Sequence, residues 1–232
     1  MMTRGRLGDG AQDLLKRMTR TLHHRGPDGE GYYIDDHVGL GHRRLSIIDL
    51  DAGKQPMCNE DESVWVTFNG EIYNYLDLRK DLIAKGHRFK TESDTEVIVH
   101  LYEEVGERFS EQLRGMFAIG LWDKKARRLI LTRDRVGKKP LYYAFIGDSI
   151  YFASELKALL FAPGLNRDID MAALSDYFSL LYVPAPKSIF KSVRKLQPAH
   201  YLVVDERGAT ERSYWDICFD HTEEKSEKQW CE

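Results

Sequence analysis

The residues with the clearest potential for chemistry fall within one short stretch of the sequence. An apolar run at 64–68 is followed directly by Asn69, Gly70 and Glu71, and Asp94 stands in the first turn of a predicted helix. The ends of rigid strands and helices are places where proteins often display functional side chains. These four polar positions are therefore candidates for a binding or catalytic site.

Asn69 and Gly70 have two interpretations. Asn-Gly is a strong turn dipeptide, so the simplest interpretation is a turn after the strand. Alternatively, the Asn side-chain amide and the Gly backbone N–H could form an oxyanion hole that stabilises a developing negative charge on oxygen. The two interpretations are compatible, and the residues alone leave both open.

Charged residues on either side of this stretch suit the two ends of an amino acid. Glu71 and Asp94 together could bind an α-ammonium group, although a helix dipole alone would stabilise Asp94 and Glu71 could simply be solvated. The segment His42-Arg43-Arg44 follows a predicted strand. Arginine is suited to bidentate binding of a carboxylate, with an ordinary surface arginine as the alternative.

Several other kinds of chemistry find no support. The sequence has no Gly-x-Ser-x-Gly elbow, no His-Glu-x-x-His pair and no Walker phosphate loop. Its three cysteines, Cys58, Cys218 and Cys231, have neither metal-site nor disulfide spacing, and they fit a reducing compartment. We therefore predict no metal site and no disulfide.

Composition indicates an ordinary globular protein with one large domain or two modest ones. The 232 residues include 34 basic and 37 acidic side chains, for a net charge of −3, which gives no general reason to expect nucleic acid as a partner. No apolar run approaches the roughly 20 residues of a membrane span. The polar N-terminus lacks the apolar region of a secretion signal. We expect a soluble cytoplasmic protein with no membrane partner.

The hydrophobic patterns predict an α+β fold in which helices cover antiparallel sheets. Little alternation at 64–68 suggests a strand buried on both faces, and Ser93 with Glu96 matches a capping box. The predicted helices lie at 11–23, 75–85, 95–104, 154–161 and 171–180. The predicted strands lie at 31–34, 37–42, 64–68, 113–122, 128–133, 141–146, 149–153, 200–204 and 210–214.

Eight segments, in order, resemble the N-terminal glutaminase domain of glutamine-hydrolysing asparagine synthetases. The resemblance runs from about residue 7 to Asp216. The segments are HRGPDGEG (24–31), GHRRLSIIDL (41–50), FNGEIYNYLDLRK (68–80), SDTEVI (93–98), GMFAIGLWD (115–123), RDRVGKKPLYY (133–143), FASELKALL (152–160) and YVPAPKSIFKSVRKLQPAHYL (182–202).

The resemblance implies a class II glutamine amidotransferase with the N-terminal-nucleophile fold, a four-layer αββα sandwich of two antiparallel sheets. In that family an N-terminal cysteine attacks the side-chain amide of glutamine. Its own α-amine, which ordinarily titrates at about 7.7–8.0, serves as the base. The ammonia released then passes to a second, ATP-using domain.

Carried over by motif, the resemblance also assigns a site. Arg44 would bind the glutamine carboxylate, and Glu71 and Asp94 would bind its amino group. Asn69 and Gly70 would form the oxyanion hole and contact the substrate. The pocket would further be lined by Leu45, Ser46, Ile47 and Ile48.

The N-terminus departs from the family pattern. The family begins Met-Cys-Gly-Ile-Ala-Gly, whereas this chain begins Met1-Met2-Thr3-Arg4-Gly5-Arg6, so no cysteine nucleophile is present there. Thr3 carries a hydroxyl that could act only if two methionines were removed. We expect residues 1–6 to be poorly ordered, so that they do not replace the nucleophile strand and a groove is left uncovered. Because the cysteine is missing, we also expect the chain as written not to hydrolyse glutamine.

The expected organisation is an atypical segment at 1–6, an amidotransferase domain at 7–216, and at 217–232 the start of a linker to a synthetase domain. Expected partners are L-glutamine and that synthetase domain, with a homodimer left open. ATP and Mg²⁺ would be needed only in the synthetase domain, and no cofactor in this one. Two alternatives remain: a non-catalytic glutamine-binding or docking module, and the glutaminase domain of another amidotransferase.

Overall fold

A computed structural model of the protein describes residues 1–45, 53–219 and 226–231. The strands are β1 (Met2–Thr3), β2 (Gly29–Ile34), β3 (Gly39–Arg44), β4 (Met57–Cys58), β5 (Val64–Ile72), β6 (Gly115–Asp123), β7 (Arg128–Arg133), β8 (Tyr142–Ile146), β9 (Ser149–Ala153), β10 (Arg194–Lys195), β11 (His200–Asp205) and β12 (Gly208–Ser213). The helices are α1 (Ala11–Arg20), α2 (Tyr75–Ala84), α3 (Glu96–Val105), α4 (Leu156–Leu159), α5 (Met171–Leu180) and α6 (Glu227–Cys231), with 3₁₀ turns at His23–Arg25 and Gly106–Glu111.

The strands form two sheets and one separate hairpin. The larger sheet has the order β12-β11-β7-β6-β5-β4, the smaller has the order β1-β9-β8-β10, and β2 pairs with β3. Every pairing is antiparallel, and the longest joins β5 to β6, with Val64 opposite Asp123 and Ile72 opposite Gly115. Most neighbouring strands are also neighbours in sequence, because short turns suffice to join antiparallel strands.

Apolar side chains between the two sheets form the central core. Trp122 and Leu131 of the larger sheet pack there with Tyr143 and Ile150 of the smaller one. These positions alternate with residues that point to the other face of their sheet, as the period of a strand requires. The two sheets therefore pack face to face.

Helices cover the outer face of each sheet. Leu82 of α2 and Ile98 of α3 pack on the larger sheet, while Leu14 of α1 and Leu159 of α4 pack on the smaller one. The result is a four-layer αββα sandwich, which confirms the predicted α+β class and layer order. Within the described residues, no helix is both long and apolar enough to cross a membrane.

The N-terminus differs from the expectation of a disordered segment that leaves a groove uncovered. Met2 and Thr3 form strand β1 and pair with Ile150 and Ser149 of β9. Met2 is buried in the core between the sheets. Strands pair through backbone groups, so this pairing does not require the apolar residues that the family has at these positions. The side chain of Met2 supplies the buried apolar contact.

The capping box expected at the start of α3 is absent. The carboxylate of Glu96 accepts hydrogen bonds from the backbone N–H groups of Lys90 and Thr91, at 2.7 and 2.8 Å. Glu96 is thereby turned away from Ser93, whose hydroxyl instead accepts from the Thr95 N–H at 3.2 Å. A tertiary contact with the preceding loop replaces the local cap.

Candidate active site

A cavity of about 260 Å³ lies where strands β3 and β5 meet the residues that precede α3. All of the predicted site residues that the structure describes line it: Arg44, Leu45, Asn69, Gly70, Glu71 and Asp94. Ser46, Ile47 and Ile48, also predicted to line the pocket, lie outside the described residues. The volume is near the lower end of the range for small-molecule sites.

Asn69 and Gly70 lie inside strand β5, so the turn interpretation is wrong. Asn69 pairs with Ala118 of β6, and its Nδ2 donates to Oγ of Ser154 at 3.4 Å. A Cβ atom at Gly70 would stand only 2.0 Å from the carbonyl oxygen of Met116. Close approach of the neighbouring strand thus accounts for the glycine, and the Asn69 amide is held at the cavity wall.

Asp94 is fixed by the end of strand β5. Its Oδ2 accepts a hydrogen bond from the backbone N–H of Ile72 at 2.9 Å, and the residue is only 5% exposed. Burial raises the pKa of Asp94, and the negative charge of Glu71 raises it further. The two carboxylates therefore form a negative end of the cavity, where a bound cation would be stabilised.

Arg44 gives the cavity a positive group. It is the last residue of β3, and its backbone carbonyl accepts a hydrogen bond from the Asp28 N–H at 3.0 Å. Leu45 follows it at the mouth and is 56% exposed. The cavity therefore carries an arginine in addition to its two carboxylates, an arrangement that complements a zwitterion.

His42 also lines the cavity and was not among the predicted site residues. Burial lowers its pKa to about 4, with the positive charges of Arg44 and Arg43 contributing. Its Nδ1 lies 3.4 Å from the hydroxyl of Thr67. At neutral pH the His42 ring is therefore uncharged and adds no second positive charge beside Arg44. Its place in the HRR segment was visible in the sequence, but its burial was not.

Gln55 links two walls of the cavity. Its Oε1 accepts from the Phe68 N–H at 2.7 Å, and its Nε2 donates to the Thr95 hydroxyl at 3.2 Å. These bonds tie strand β5 to the start of α3. Sequence patterns could not identify Gln55, because it lies in an irregular loop where side-chain position follows no period.

Met1 is a further cavity residue that the sequence did not predict. Its α-amino group donates to the carbonyl oxygen of Gly39 at 2.8 Å, and the residue is 4% exposed. Burial lowers the pKa of this amine to about 5. The amine is therefore neutral at pH 7 and able to accept a proton, but the side chain beside it is a thioether rather than a thiol.

The same fold is found in solved structures of other proteins. The glutamine phosphoribosylpyrophosphate amidotransferase from B. subtilis aligns over 92% of this chain and 48% of its own, with a TM-score of 0.66 and 18% identity. The allosteric regulatory enzyme of purine biosynthesis aligns over 89% and 47%, with a TM-score of 0.66 and 19% identity. At this level of identity the likeness extends to the fold alone.

Closer relatives are found by sequence. Asparagine synthetase [glutamine-hydrolyzing] 1 of Bacillus subtilis (strain 168) is 44% identical over 218 residues, which are 94% of this chain and 34% of that protein. Asparagine synthetase [glutamine-hydrolyzing] 2 of Arabidopsis thaliana is 50% identical over 143 residues, 61% of this chain and 24% of that protein. The chain thus spans about a third of the Bacillus relative, in its N-terminal portion.

A family profile agrees with these relatives. Residues 3–215 match the glutamine amidotransferase domain, which leaves only the ends of the chain outside the match. The match includes strands β3 and β5 and the segment before α3, and with them every predicted site residue. The chain belongs to the glutamine amidotransferase domain family.

Proposed function

We propose that the cavity binds free L-glutamine as part of the glutaminase domain of an asparagine synthetase. Arg44 binds the α-carboxylate, and Glu71 and Asp94 bind the α-ammonium group. Asn69 and Gly70 contact the side-chain amide as an oxyanion hole. The observation that carries the proposal is the presence of an arginine and two carboxylates in one small cavity whose wall also presents an amide.

Electrostatics support an ammonium ligand at the acidic end. Burial and Glu71 raise the pKa of Asp94, and a cation bound between the carboxylates offsets both effects. Hydrogen bonds to charged groups are worth roughly 1.5–3 kcal/mol each, which suffices to select a zwitterion over a neutral amide. His42 is neutral, and among the basic side chains that line the cavity we assign the α-carboxylate to Arg44.

Hydrolysis requires a nucleophile beside this pocket. In the reaction we propose for the complete site, a thiolate attacks the amide carbon of glutamine while the adjacent α-amine takes the thiol proton. That proton passes to the departing ammonia, and water then hydrolyses the thioester to glutamate. A chain with Met1 in the cavity has the amine but no thiol, so we propose that it binds glutamine without hydrolysing it.

The ammonia acceptor is proposed from the relatives. The two named relatives are asparagine synthetases, of which this chain spans 34% and 24%. We propose an ATP- and Mg²⁺-using synthetase domain as the partner. A large apolar surface at the end of α5 suits such a contact. Its exposed side chains are Tyr177, Phe178, Leu180, Leu181 and Tyr182.

We also propose a cytoplasmic location, with which the three free cysteines are compatible.

Glutamine binding is the direct test. We expect L-glutamine to raise the melting temperature of the chain in a saturable way, because a ligand that binds only the folded state stabilises it. D-Glutamine should have no such effect, and Arg44→Ala and Asp94→Ala should abolish the shift. Absence of a shift at about 10 mM L-glutamine, far above ordinary amino-acid affinities, would refute the proposal.

A further inference from the structure

A second cluster of chemically capable side chains lies outside the glutamine cavity, on helix α3 and the segments beside it. Glu60 precedes strand β5, His87 follows helix α2, and His100 and Glu103 lie on α3. We propose that these four residues bind a divalent transition metal ion, with Zn²⁺ the best match. The cluster is separate from the glutamine cavity, and the sequence analysis predicted no metal site.

The spacing of the donor atoms suits tetrahedral coordination. Nδ1 of His100 lies 3.1 Å from Oε2 of Glu103 and 3.6 Å from Oε2 of Glu60. Nδ1 of His87 lies 3.6 Å from the same Glu103 oxygen. Zinc bonds of about 2.0–2.1 Å place neighbouring tetrahedral ligands roughly 3.3–3.4 Å apart. All four donors lie within 4.8 Å of one another, so small side-chain rotations would complete the site.

Both histidines have a carboxylate on the far side of the ring. Nε2 of His87 is 3.1 Å from Oε1 of Glu104, which also pairs with Lys85. Nε2 of His100 is 3.8 Å from Oε1 of Glu96. A proton on each Nε2 leaves the Nδ1 lone pair free to point into the cluster. Metal-binding histidines characteristically have a carboxylate partner that fixes the tautomer and orients the ring. His87 has this partner at hydrogen-bond distance, whereas Glu96 lies beyond that distance from His100.

Each of the two glutamates has one carboxylate oxygen hydrogen-bonded to the protein. Oε1 of Glu103 accepts a hydrogen bond from Nδ2 of Asn59 at 2.7 Å. Oε1 of Glu60 accepts from the backbone N–H of Arg88 at 2.9 Å. Each carboxylate thus uses one oxygen to contact protein and turns its Oε2 toward the two rings. This division of roles is what two monodentate metal ligands require.

The charge at the cluster also favours a cation. His100 is fully buried, and among the described residues its Nε2 has no hydrogen-bond partner. On the other side of the ring, Oε2 of Glu103 and Oε2 of Glu60 lie 3.1 and 3.6 Å from Nδ1 and create a negative potential there. A cation at this point compensates that potential, and the convergent second oxygens of Glu103 and Glu60 favour a metal ion.

A metal here would act on structure rather than on the reaction. Within the described residues, none of the four proposed ligands lines the glutamine cavity. The ion would join the loop before β5 and the segment after α2 to helix α3. Asp94 lies two residues before that helix, so the ion would help to fix the acidic end of the glutamine site. The proposal does not depend on glutamine binding.

Zinc binding by the full chain tests the proposal. After treatment with a chelator, the protein is titrated with ZnCl₂ by calorimetry, and with MgCl₂ for comparison. We expect one Zn²⁺ per chain and no Mg²⁺ binding, since nitrogen ligands suit zinc and not magnesium. At a hundredfold excess over the dissociation constant, the melting temperature should rise by about 5–10 °C.

Variants locate the site. His87→Ala and Glu103→Gln should lose the bound ion while keeping the metal-free melting temperature within a few degrees. Glu104→Gln should weaken binding about ten- to a hundredfold, because it removes the support for His87. His24→Ala, at an exposed histidine beside Glu155, is the matched control and should bind normally.

Two outcomes overturn the proposal. One is absence of zinc uptake by the unaltered chain at about 100 μM, a concentration well above that needed by structural sites. The cluster is then explained by its hydrogen bonds and ion pairs alone. Zinc uptake that survives both His87→Ala and Glu103→Gln but falls in His24→Ala places the metal elsewhere on the surface.

Discussion

The backbone N–H of Ile72 donates a hydrogen bond to Oδ2 of Asp94 at 2.9 Å, which joins the end of strand β5 to the residue pair before helix α3. Asn69 and Glu71 lie on the same strand. This bond therefore fixes the position of one carboxylate relative to both the other carboxylate and the amide. The acidic end of the proposed glutamine site is set by a sheet, not by a mobile loop.

Asp94→Asn separates the charge of this residue from its structural role. The asparagine Oδ1 can still accept the Ile72 N–H, so we expect the fold to persist. Loss of the negative charge should weaken glutamine binding about ten- to a hundredfold, since hydrogen bonds to charged groups contribute roughly 1.5–3 kcal/mol. Calorimetric titration measures the change. Asp77→Asn, at an exposed position in the first turn of α2, is the control, and equal glutamine affinity in both variants would contradict the assignment.

Gly70→Ala tests whether sheet packing demands the glycine. The new Cβ would lie 2.0 Å from the Met116 carbonyl oxygen and 2.8 Å from Cα of Phe117. Neither atom can move without disturbing strand β6. We expect the free energy of unfolding to fall by roughly 2–4 kcal/mol, the combined scale of overpacking and backbone strain. Urea denaturation measures it, with Gly8→Ala as control because nothing lies within 4 Å of a Cβ there.

His42 should make stability depend on pH in the acidic range. Its folded pKa is about 4, against an ordinary value of 6.5, so the unfolded chain binds a proton that the folded chain does not. Stability from this residue is then complete above pH 6.5 and is lost as the pH falls through 4. Urea denaturation at pH 7 and pH 5 should show a smaller loss in His42→Gln than in the unaltered chain. An equal loss in both would mean that His42 titrates normally.

The sequence predicted the layers and the cavity residues better than it predicted local geometry. Arg44, Glu71 and Asp94 were identified from motifs, and the structure brings them together in one cavity. The helix and strand periods predicted where most of the elements lie, because those periods are a local property of each segment. Such patterns need no knowledge of long-range contacts.

The mistakes came where distant partners override local preference. Asn-Gly favours a turn, but pairing with β6 along all nine residues of β5 keeps Asn69 and Gly70 extended. Glu96 matches a helix cap, yet the loop residues Lys90 and Thr91 take its carboxylate. His87 and His100 likewise meet only through packing of α2 against α3, so their spacing in the sequence gave no metal signal.

Met1→Cys is the substitution that most directly examines the proposed chemistry. The Met1 amine is already in the cavity, hydrogen-bonded to the carbonyl of Gly39, with a pKa lowered to about 5. A thiol at this position would have a neutral amine beside it to accept its proton. The variant can be made with a cleavable leader that leaves cysteine as the first residue. We expect it to release ammonia from L-glutamine at least about a hundredfold faster than the chain with Met1, which should match a heat-killed control.

Companion variants assign that gain to the N-terminal thiol. Met1→Ala, produced with the same leader, should stay at background, because it keeps the amine and lacks the sulfur. Adding Asp94→Asn to the cysteine variant should reduce its turnover at low glutamine concentration through weaker substrate binding. Ammonia release by the chain with Met1, or equal release by the alanine and cysteine variants, would show that another group attacks the amide, and Cys58→Ala would then be the next variant to assay.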